Sequence, residues 1–189
     1  RDWLYVEKGG EIIPKIVDVD LSHRDPSASP VEFVTVCPSC GTPLRHVEGE
    51  AAIVCPNIYG CAPQIEGRIE HFVGRRMMNI DGIGEETATL LYRSGLAKDP
   101  ADLYSLTYDQ LAALPGFGEK SAERILDGLR ASLSVPFDRV LYALSIPNVG
   151  ETGAKKIARA AGSIDRLMSM SEAELTAIED VGPRIAAGI

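Results

Sequence analysis

Four cysteines are the residues whose type and spacing promise chemistry most directly. Cys37 and Cys40 form a C-x2-C pair in CPSC, and Cys55 and Cys61 a C-x5-C pair in CPNIYGC, both inside Pro and Gly turns that can aim two sulfurs at one point. Two such corners facing one another supply the four thiolates of a tetrahedral zinc ion. Four sulfurs leave no open coordination position, so this metal would hold shape and perform no reaction. Two readings compete with zinc. A pair of disulfides sits poorly with a chain that opens on RDWLYVEKGGEIIP, which is strand-like and lacks the basic-then-apolar layout of an export signal. Unpaired buried thiols would not explain why the cysteines come two by two. His46 and His71 could replace a ligand, but beside four sulfurs each is expected to serve at the surface or as a cap.

The elements around the cysteines fall into three regions. Residues 35–66 hold all four cysteines, four prolines and few large apolar side chains, too little core for independent folding without a staple. Zinc binding, worth roughly 10 to 16 kcal/mol in small zinc modules, would provide it. Ahead of them, Trp3 to Asp20 is rich in Val and Ile around Lys8-Gly9-Gly10 and reads as two strands of a hairpin, with Trp3 and Tyr5 on one half-buried face. A polar connector, LSHRDPSASPVEF, follows it. From Arg68 onward apolar residues recur at three- and four-residue steps in ETATLLYRSGL, SAERILDGLRASL, FDRVLYAL and GAKKIARAAG. Met77, Met78, Leu90, Leu91, Leu126, Leu141 and Leu144 are expected in the core of that helical region.

A second pattern repeats through the helical region. Aligned on their last glycine, Ile80-Asp81-Gly82-Ile83-Gly84, Leu114-Pro115-Gly116-Phe117-Gly118, Ile146-Pro147-Asn148-Val149-Gly150 and Ile178-Glu179-Asp180-Val181-Gly182 stand 34, 32 and 32 residues apart. Such near-constant spacing marks a repeated unit. In each copy an apolar residue ends one helix, a short turn reverses the chain, and the middle apolar side chain tucks between the two helices. The second helix then begins with its backbone N–H groups bare. Glycine permits positive φ and lets an anion approach the backbone closely. A helix N-terminus can therefore hold a phosphate by amides alone.

This is helix-hairpin-helix architecture, whose usual partner is the nucleic-acid backbone. The expected fold is mainly α: a tandem helix-hairpin-helix domain at 67–189, with motifs near 78–95, 112–130, 144–161 and 176–189. A four-cysteine zinc finger at 35–66 precedes it, and before that a β-hairpin and linker at 1–34.

Charge at first sight opposes nucleic-acid binding. The net charge is -8, and residues 68–189 hold 14 Lys and Arg against 17 Asp and Glu. A protein that grips phosphates through amides needs few cations, however. Those placed to flank a strand are Arg75 and Arg76 ahead of the first motif, Lys120 after Gly118, and Lys155 and Lys156 after Gly150. Asn148 replaces the first glycine of the third copy and tolerates left-handed angles. Asp180 in the fourth would repel a phosphate, so that copy is expected to serve as a packing partner for the third. No Ser, His and Asp grouping and no paired-carboxylate motif stands out, and no run of about 18 apolar residues could span a bilayer.

The order of these parts resembles the NAD-dependent DNA ligases of bacteria, and the resemblance covers essentially the whole chain. It is carried by VEKGGEIIPKI, similar to the end of the family's oligonucleotide-binding (OB) domain, by the four-cysteine module, by HFVGRRMMNIDGIG and FDRVLYALSIPNVG, and by the four hairpins. The resemblance implies a cytoplasmic, nucleoid-associated bacterial enzyme of replication and repair. It would form a lysyl adenylate from NAD, adenylate a 5′-phosphate and seal the nick using magnesium. It also implies that Cys37, Cys40, Cys55 and Cys61 bind zinc. Phosphates would be gripped at Gly82-Ile83-Gly84, Gly116-Phe117-Gly118 and Asn148-Val149-Gly150, with Lys120, Lys155, Arg75 and Arg76 beside them.

None of the six lysines lies in the Lys-x-Asp-Gly motif of the family's adenylation domain, so no catalytic residue carries over. NAD and magnesium would bind in an upstream domain, a BRCT domain would follow downstream, and the chain is expected to be an inactive piece of a longer polypeptide. Two other readings stand beside this one: a non-catalytic helix-hairpin-helix module of a repair or junction-processing protein, and a helical scaffold that uses the hairpins for packing alone.

Overall fold

The computed structural model describes residues 2–10, 12–47 and 49–189. The chain divides into two units, Arg1–Thr35 and Val36–Ile189.

In the first unit, β1 (Trp3–Gly9) and β2 (Ile13–Asp20) pair antiparallel, from Trp3 opposite Asp20 to Gly9 opposite Ile13, with a bulge between Tyr5 and Val6. Lys8 and Gly9 still belong to the ladder, so the turn comes later than the sequence predicts, where Gly10 takes φ +70°. Glu11, which follows it, lies outside the described residues. The expected half-buried face is not formed: Trp3 is 67% and Tyr5 55% exposed. Two strands with no second layer have nothing to bury a face against. Trp3 instead stacks on the His23 ring at 5.2 Å. Arg24 grips the Asp2 carboxylate through Nε and Nη2, each at 2.8 Å.

The second unit begins with the cysteine segment, whose regular structure is two short paired strands, β3 (Arg45–His46) and β4 (Ile53–Val54). It runs directly into α1 (Ala62–Val73), for which Cys61 is the N-cap residue. The boundary expected at 66/67 thus falls inside a helix, because Pro63 is preorganised for a first turn and Ile65, Ile69, Phe72 and Val73 bury one face. Helices α2 (Glu85–Arg93), α3 (Tyr108–Ala112) and α4 (Glu119–Ser132) share that core through Leu91, Leu111, Ile125 and Leu129. A second core, around Leu141, Ile157, Leu167 and Leu175, joins α5 (Phe137–Ala143), α6 (Glu151–Ala161), α7 (Ile164–Ser169), α8 (Glu172–Thr176) and α9 (Pro183–Ala186). Motifs one and two therefore pack on one core and motifs three and four on the other.

Met78, Leu91 and Leu141 are buried as expected, and Met77, Leu90 and Leu126 pack at the edge of the first core. Leu144 is 49% exposed and leaves the core. It is the C-cap residue of α5, and the chain turns at once through Ser145 with φ 56°.

Candidate metal centre and nucleic-acid interface

The four cysteines converge. One ligand atom from each of Cys37, Cys40, Cys55 and Cys61 lies within 4.8 Å of all the others, although up to 24 positions separate them in sequence. Tight turns make this possible: Gly41, at φ +71°, donates its amide to the Cys37 carbonyl at 2.8 Å, and Cys61 donates to the Asn57 carbonyl at 3.0 Å. Sγ of Cys37 lies 3.8 Å from that of Cys61, and Sγ of Cys40 lies 3.5 Å from that of Cys55. Both separations far exceed a disulfide bond of about 2.05 Å. They match the edge of a tetrahedron around a metal bound at about 2.3 Å, which is roughly 3.8 Å. The donor set and its spacing thus fit a closed four-thiolate site.

Proton affinities within the cluster diverge. The Thr42 hydroxyl, 3.2 Å from Cys40 Sγ, and the Thr42 amide hold the Cys40 thiol well below its usual range. At Cys55 the Asn57 amide pulls downward, but burial and the neighbouring sulfurs of Cys40 and Cys37 outweigh it and push that thiol up. Four adjacent thiolates repel one another, and a bound divalent cation removes that conflict. The two histidines stay apart from the sulfurs. His46 lies in β3, and His71 Nε2 bonds the Tyr142 carbonyl at 3.0 Å, an inter-helix link where a surface or capping role was expected.

The four hairpins share one backbone geometry. Gly82, Gly116, Asn148 and Asp180 have φ of +92°, +79°, +63° and +65°. The first glycine of the pattern is therefore a left-handed position, and Asn and Asp fill it in the last two copies. Ile83, Val149 and Val181 are buried, and Phe117 packs half-buried against the first core. The side chains of Ile83 and Val149 consequently point into the protein, which leaves only the backbone of those residues for an external partner.

The second glycine behaves differently. Gly84, Gly118, Gly150 and Gly182 are the N-cap residues of α2, α4, α6 and α9, all in ordinary extended conformation. A Cβ added at any of the four would meet nothing within 4 Å. Neither dihedral strain nor internal packing calls for glycine there. Asp99, Thr107, Ser163 and Ser171 cap other helix starts by accepting from first-turn amides, while α1 and α5 begin without a side-chain cap. Glycine falls only about a few tenths of a kcal/mol short of such a cap, so it costs the helix little while leaving the first amides open. At the four hairpins no side chain caps the helix, so the first amides face outward bare.

The expected cations divide into two groups. Arg75 and Lys120 are exposed and form no ion pair among the described residues, whereas Arg76 and Lys155 both bond Glu151, Lys155 Nζ at 2.8 Å from Oε1. Those partners, Lys155 foremost, hold the Glu151 carboxyl below its usual range. Lys156, also expected beside a strand, is engaged within the protein. It bonds Asp180 and, at 3.2 Å, Glu179 of the fourth hairpin. Sequence reading also missed Arg124, whose Nε donates to Asp81 Oδ2 at 2.7 Å beside Gly82. Arg124 and Lys156 each stand six residues after a second glycine, a register that could have exposed their shared role.

A four-thiolate finger joined to paired hairpins with uncapped glycine corners defines a zinc-finger, helix-hairpin-helix protein of the DNA-binding class. Residues 36–62 match the NAD-dependent DNA ligase C4 zinc finger domain, residues 74–131 the SAM-like helix-hairpin-helix tandem, and residues 139–189 the helix-hairpin-helix motif. The chain is 52% identical to a DNA ligase of Bacteroides fragilis and 52% to one of Cytophaga hutchinsonii over 188 residues, and 46% identical to one of Flavobacterium psychrophilum over 189. Each alignment covers 100% of this chain and 28% of the relative, so the chain spans little more than a quarter of their length. Over its whole length the chain is thus similar to a segment of DNA ligases, and its zinc finger to that of the NAD-dependent ones.

Proposed function

We propose that this chain is the part of an NAD-dependent DNA ligase that grips nicked duplex DNA by its sugar-phosphate backbones, without reading sequence. Adenylation from NAD, magnesium binding and nick sealing in replication and repair belong to other parts of the longer protein, with an adenylation domain upstream and a BRCT domain downstream. The setting is the bacterial cytoplasm, at the nucleoid, and no described helix is long and apolar enough to cross a membrane.

The observation that carries this reading is the set of uncapped glycines with open space where a Cβ would stand. Main-chain amides at Gly84, Gly118 and Gly150, with their first helical turns, hold phosphate oxygens; Arg75, Arg76, Lys120 and Lys155 add charge at the flanks. Amides carry no base code, so contacts of this kind position the protein without specifying sequence. Asp180 and its bond to Lys156 turn the fourth hairpin toward a packing role. Zinc held by Cys37, Cys40, Cys55 and Cys61 supplies rigidity and no Lewis-acid step.

The test is Gly118→Val, which the extended backbone and empty surroundings accept. Valine is a poorer N-cap than glycine, so the expected result is a stability loss of no more than about 1 kcal/mol together with at least tenfold weaker binding to a nicked duplex. A stability loss well beyond that would point to a packing role for the corner, and unchanged affinity would remove it from the interface.

A further inference from the structure

Three hollows on the helical surface share walls. The first lies at Gly82-Ile83-Gly84 and includes Arg75 and Arg124. Arg75 also lines the second, with Arg76, Arg139 and Lys155. Lys155 continues into the third, where Arg159 and Gly162 stand at the end of α6. One groove therefore runs from the first hairpin, on the first core, to the last turn of α6, on the second. Where it crosses between the cores, Arg139 of α5 ties the two sides, Nη2 donating to the Arg75 carbonyl at 2.6 Å. No residue of the second corner, Gly116-Phe117-Gly118, lines it.

Charge sets this groove apart from the acidic surface around it. Six of the 14 Lys and Arg of residues 68–189 line it, but only three of the 17 Asp and Glu, namely Asp81, Asp138 and Glu151. A cleft lined mainly by one sign of charge attracts the other. Arg75 and Arg159 at its two ends are exposed and form no ion pair among the described residues, so both charges are free for an external partner. Glu151, Lys155 and Arg159 recur every four residues and share one face of α6, whereas Lys156 turns to Asp180. At 1.5 Å per residue that face extends about 12 Å, and one strand of a duplex carries a charge about every 3.4 Å of axis. The groove is thus too long for a single anion and fits a row of phosphates.

We propose that this groove is a track for one sugar-phosphate backbone of a bound duplex, leading from the first corner past Arg75, Arg76 and Lys155 to Arg159. The proposal rests on the reading of the corners as backbone grips. It adds to that reading a contact made by side chains, with Arg159 as a phosphate-binding residue, and a path that joins the two cores while bypassing the second corner.

Fluorescence anisotropy of a nicked duplex with the zinc-loaded chain, across a salt series, tests it. Arg159→Gln should weaken binding about threefold or more at low salt and reduce the slope of log K against log salt by about 1 in magnitude. Arg159→Lys should restore the slope. Adding Arg75→Gln, at the other end of the groove, should bring the reduction to about 2, because one duplex meets both ends at once. Arg93→Gln, at the far end of α2 and outside the groove, should change neither quantity. Gly118→Val should weaken binding with the slope kept. Failure of the unaltered chain to bind the duplex would overturn the track and the corner reading together. Binding that Gly118→Val weakens, but whose affinity and slope Arg159→Gln leaves unchanged, would overturn the track alone. So would an equal loss of slope in the Arg93→Gln protein, or a double variant no different from Arg159→Gln.

Discussion

Arg124 on α4 holds Asp81 in the first hairpin by two hydrogen bonds, Nε to Oδ2 at 2.7 Å and Nη2 to Oδ1 at 3.1 Å. In the other pair of motifs the same exchange runs in the opposite direction along the chain. Lys156 on α6 holds Glu179 and Asp180 in the hairpin that follows. Each tie links two motifs, and the first also places an acid at a corner proposed to meet phosphate. That corner is therefore held in shape at some cost in attraction for DNA, while the tie to the fourth hairpin serves packing.

Asp81→Asn should release Arg124 toward the backbone of bound DNA. The pair is exposed, so stability should change by less than about 1 kcal/mol. Affinity for a nicked duplex is expected to rise severalfold at low salt, and the slope of log K against log salt should steepen by about 1. Because most cations beside the hairpins are already paired with carboxylates, the unaltered protein's slope should stay below about 5 in magnitude. Fluorescence anisotropy across a salt series measures both quantities.

Two helical glycines should respond in opposite ways to a larger side chain. Gly67 in α1 has open space where a Cβ would be, so Gly67→Ala should stabilise by roughly 0.5 to 1 kcal/mol through helix propensity. At Gly128 in α4 a Cβ would stand 3.1 Å from the Asp81 amide nitrogen and 3.3 Å from Ile80 Cγ2. Gly128→Leu should therefore force the first hairpin away and destabilise by about 1 to 3 kcal/mol. Chemical denaturation of the two variants decides whether the sign differs.

Chelation of zinc should unfold the segment from Cys37 to Cys61 and spare most of the helices. That segment has two-residue strands and little apolar core, whereas Ile69, Leu91, Leu111 and Ile125 pack without any cysteine. The outcome expected from hydrogen exchange is loss of protection before α1 and fraying of its first turn, with α2 and α4 retained. Global loss of helical circular dichroism would contradict it.

Glu174 ties the fourth motif to acid stability. Its carboxylate accepts from the Ser171 amide and hydroxyl, each at 2.8 Å, and pairs with Arg166 at 2.6 Å. These partners, the Ser171 amide first, bring its pKa down to about 2. A depressed folded-state value means the contribution is present above the unfolded carboxylate's pKa, near 4.3, and is lost as pH falls through about 2. Glu174→Gln should lower the melting temperature at pH 6, and its deficit should vanish near pH 2.

Several features were legible from spacing because they depend on local chemistry. The cysteine pairs marked a metal site, and four hairpins at near-constant intervals marked the helical repeat. The partners of Lys156 and Arg124 were not legible, since an ion pair depends on which helix face a distant hairpin meets. Trp3, Tyr5 and Leu144 misled for a related reason: apolar character says that a residue prefers burial, not that a covering layer exists.

What the sequence by itself determined is the set of local conformations. Gly82, Gly116, Asn148 and Asp180 are residue types that tolerate left-handed backbone, and paired cysteines in tight turns converge wherever the chain lies. Only tertiary structure decided which motifs share a core, which cations are already neutralised, and that the second glycines stand in open space. Dihedral preference acts over a few residues and is written in their types. Packing and charge pairing act between residues far apart in the chain, and come into being only when the helices meet.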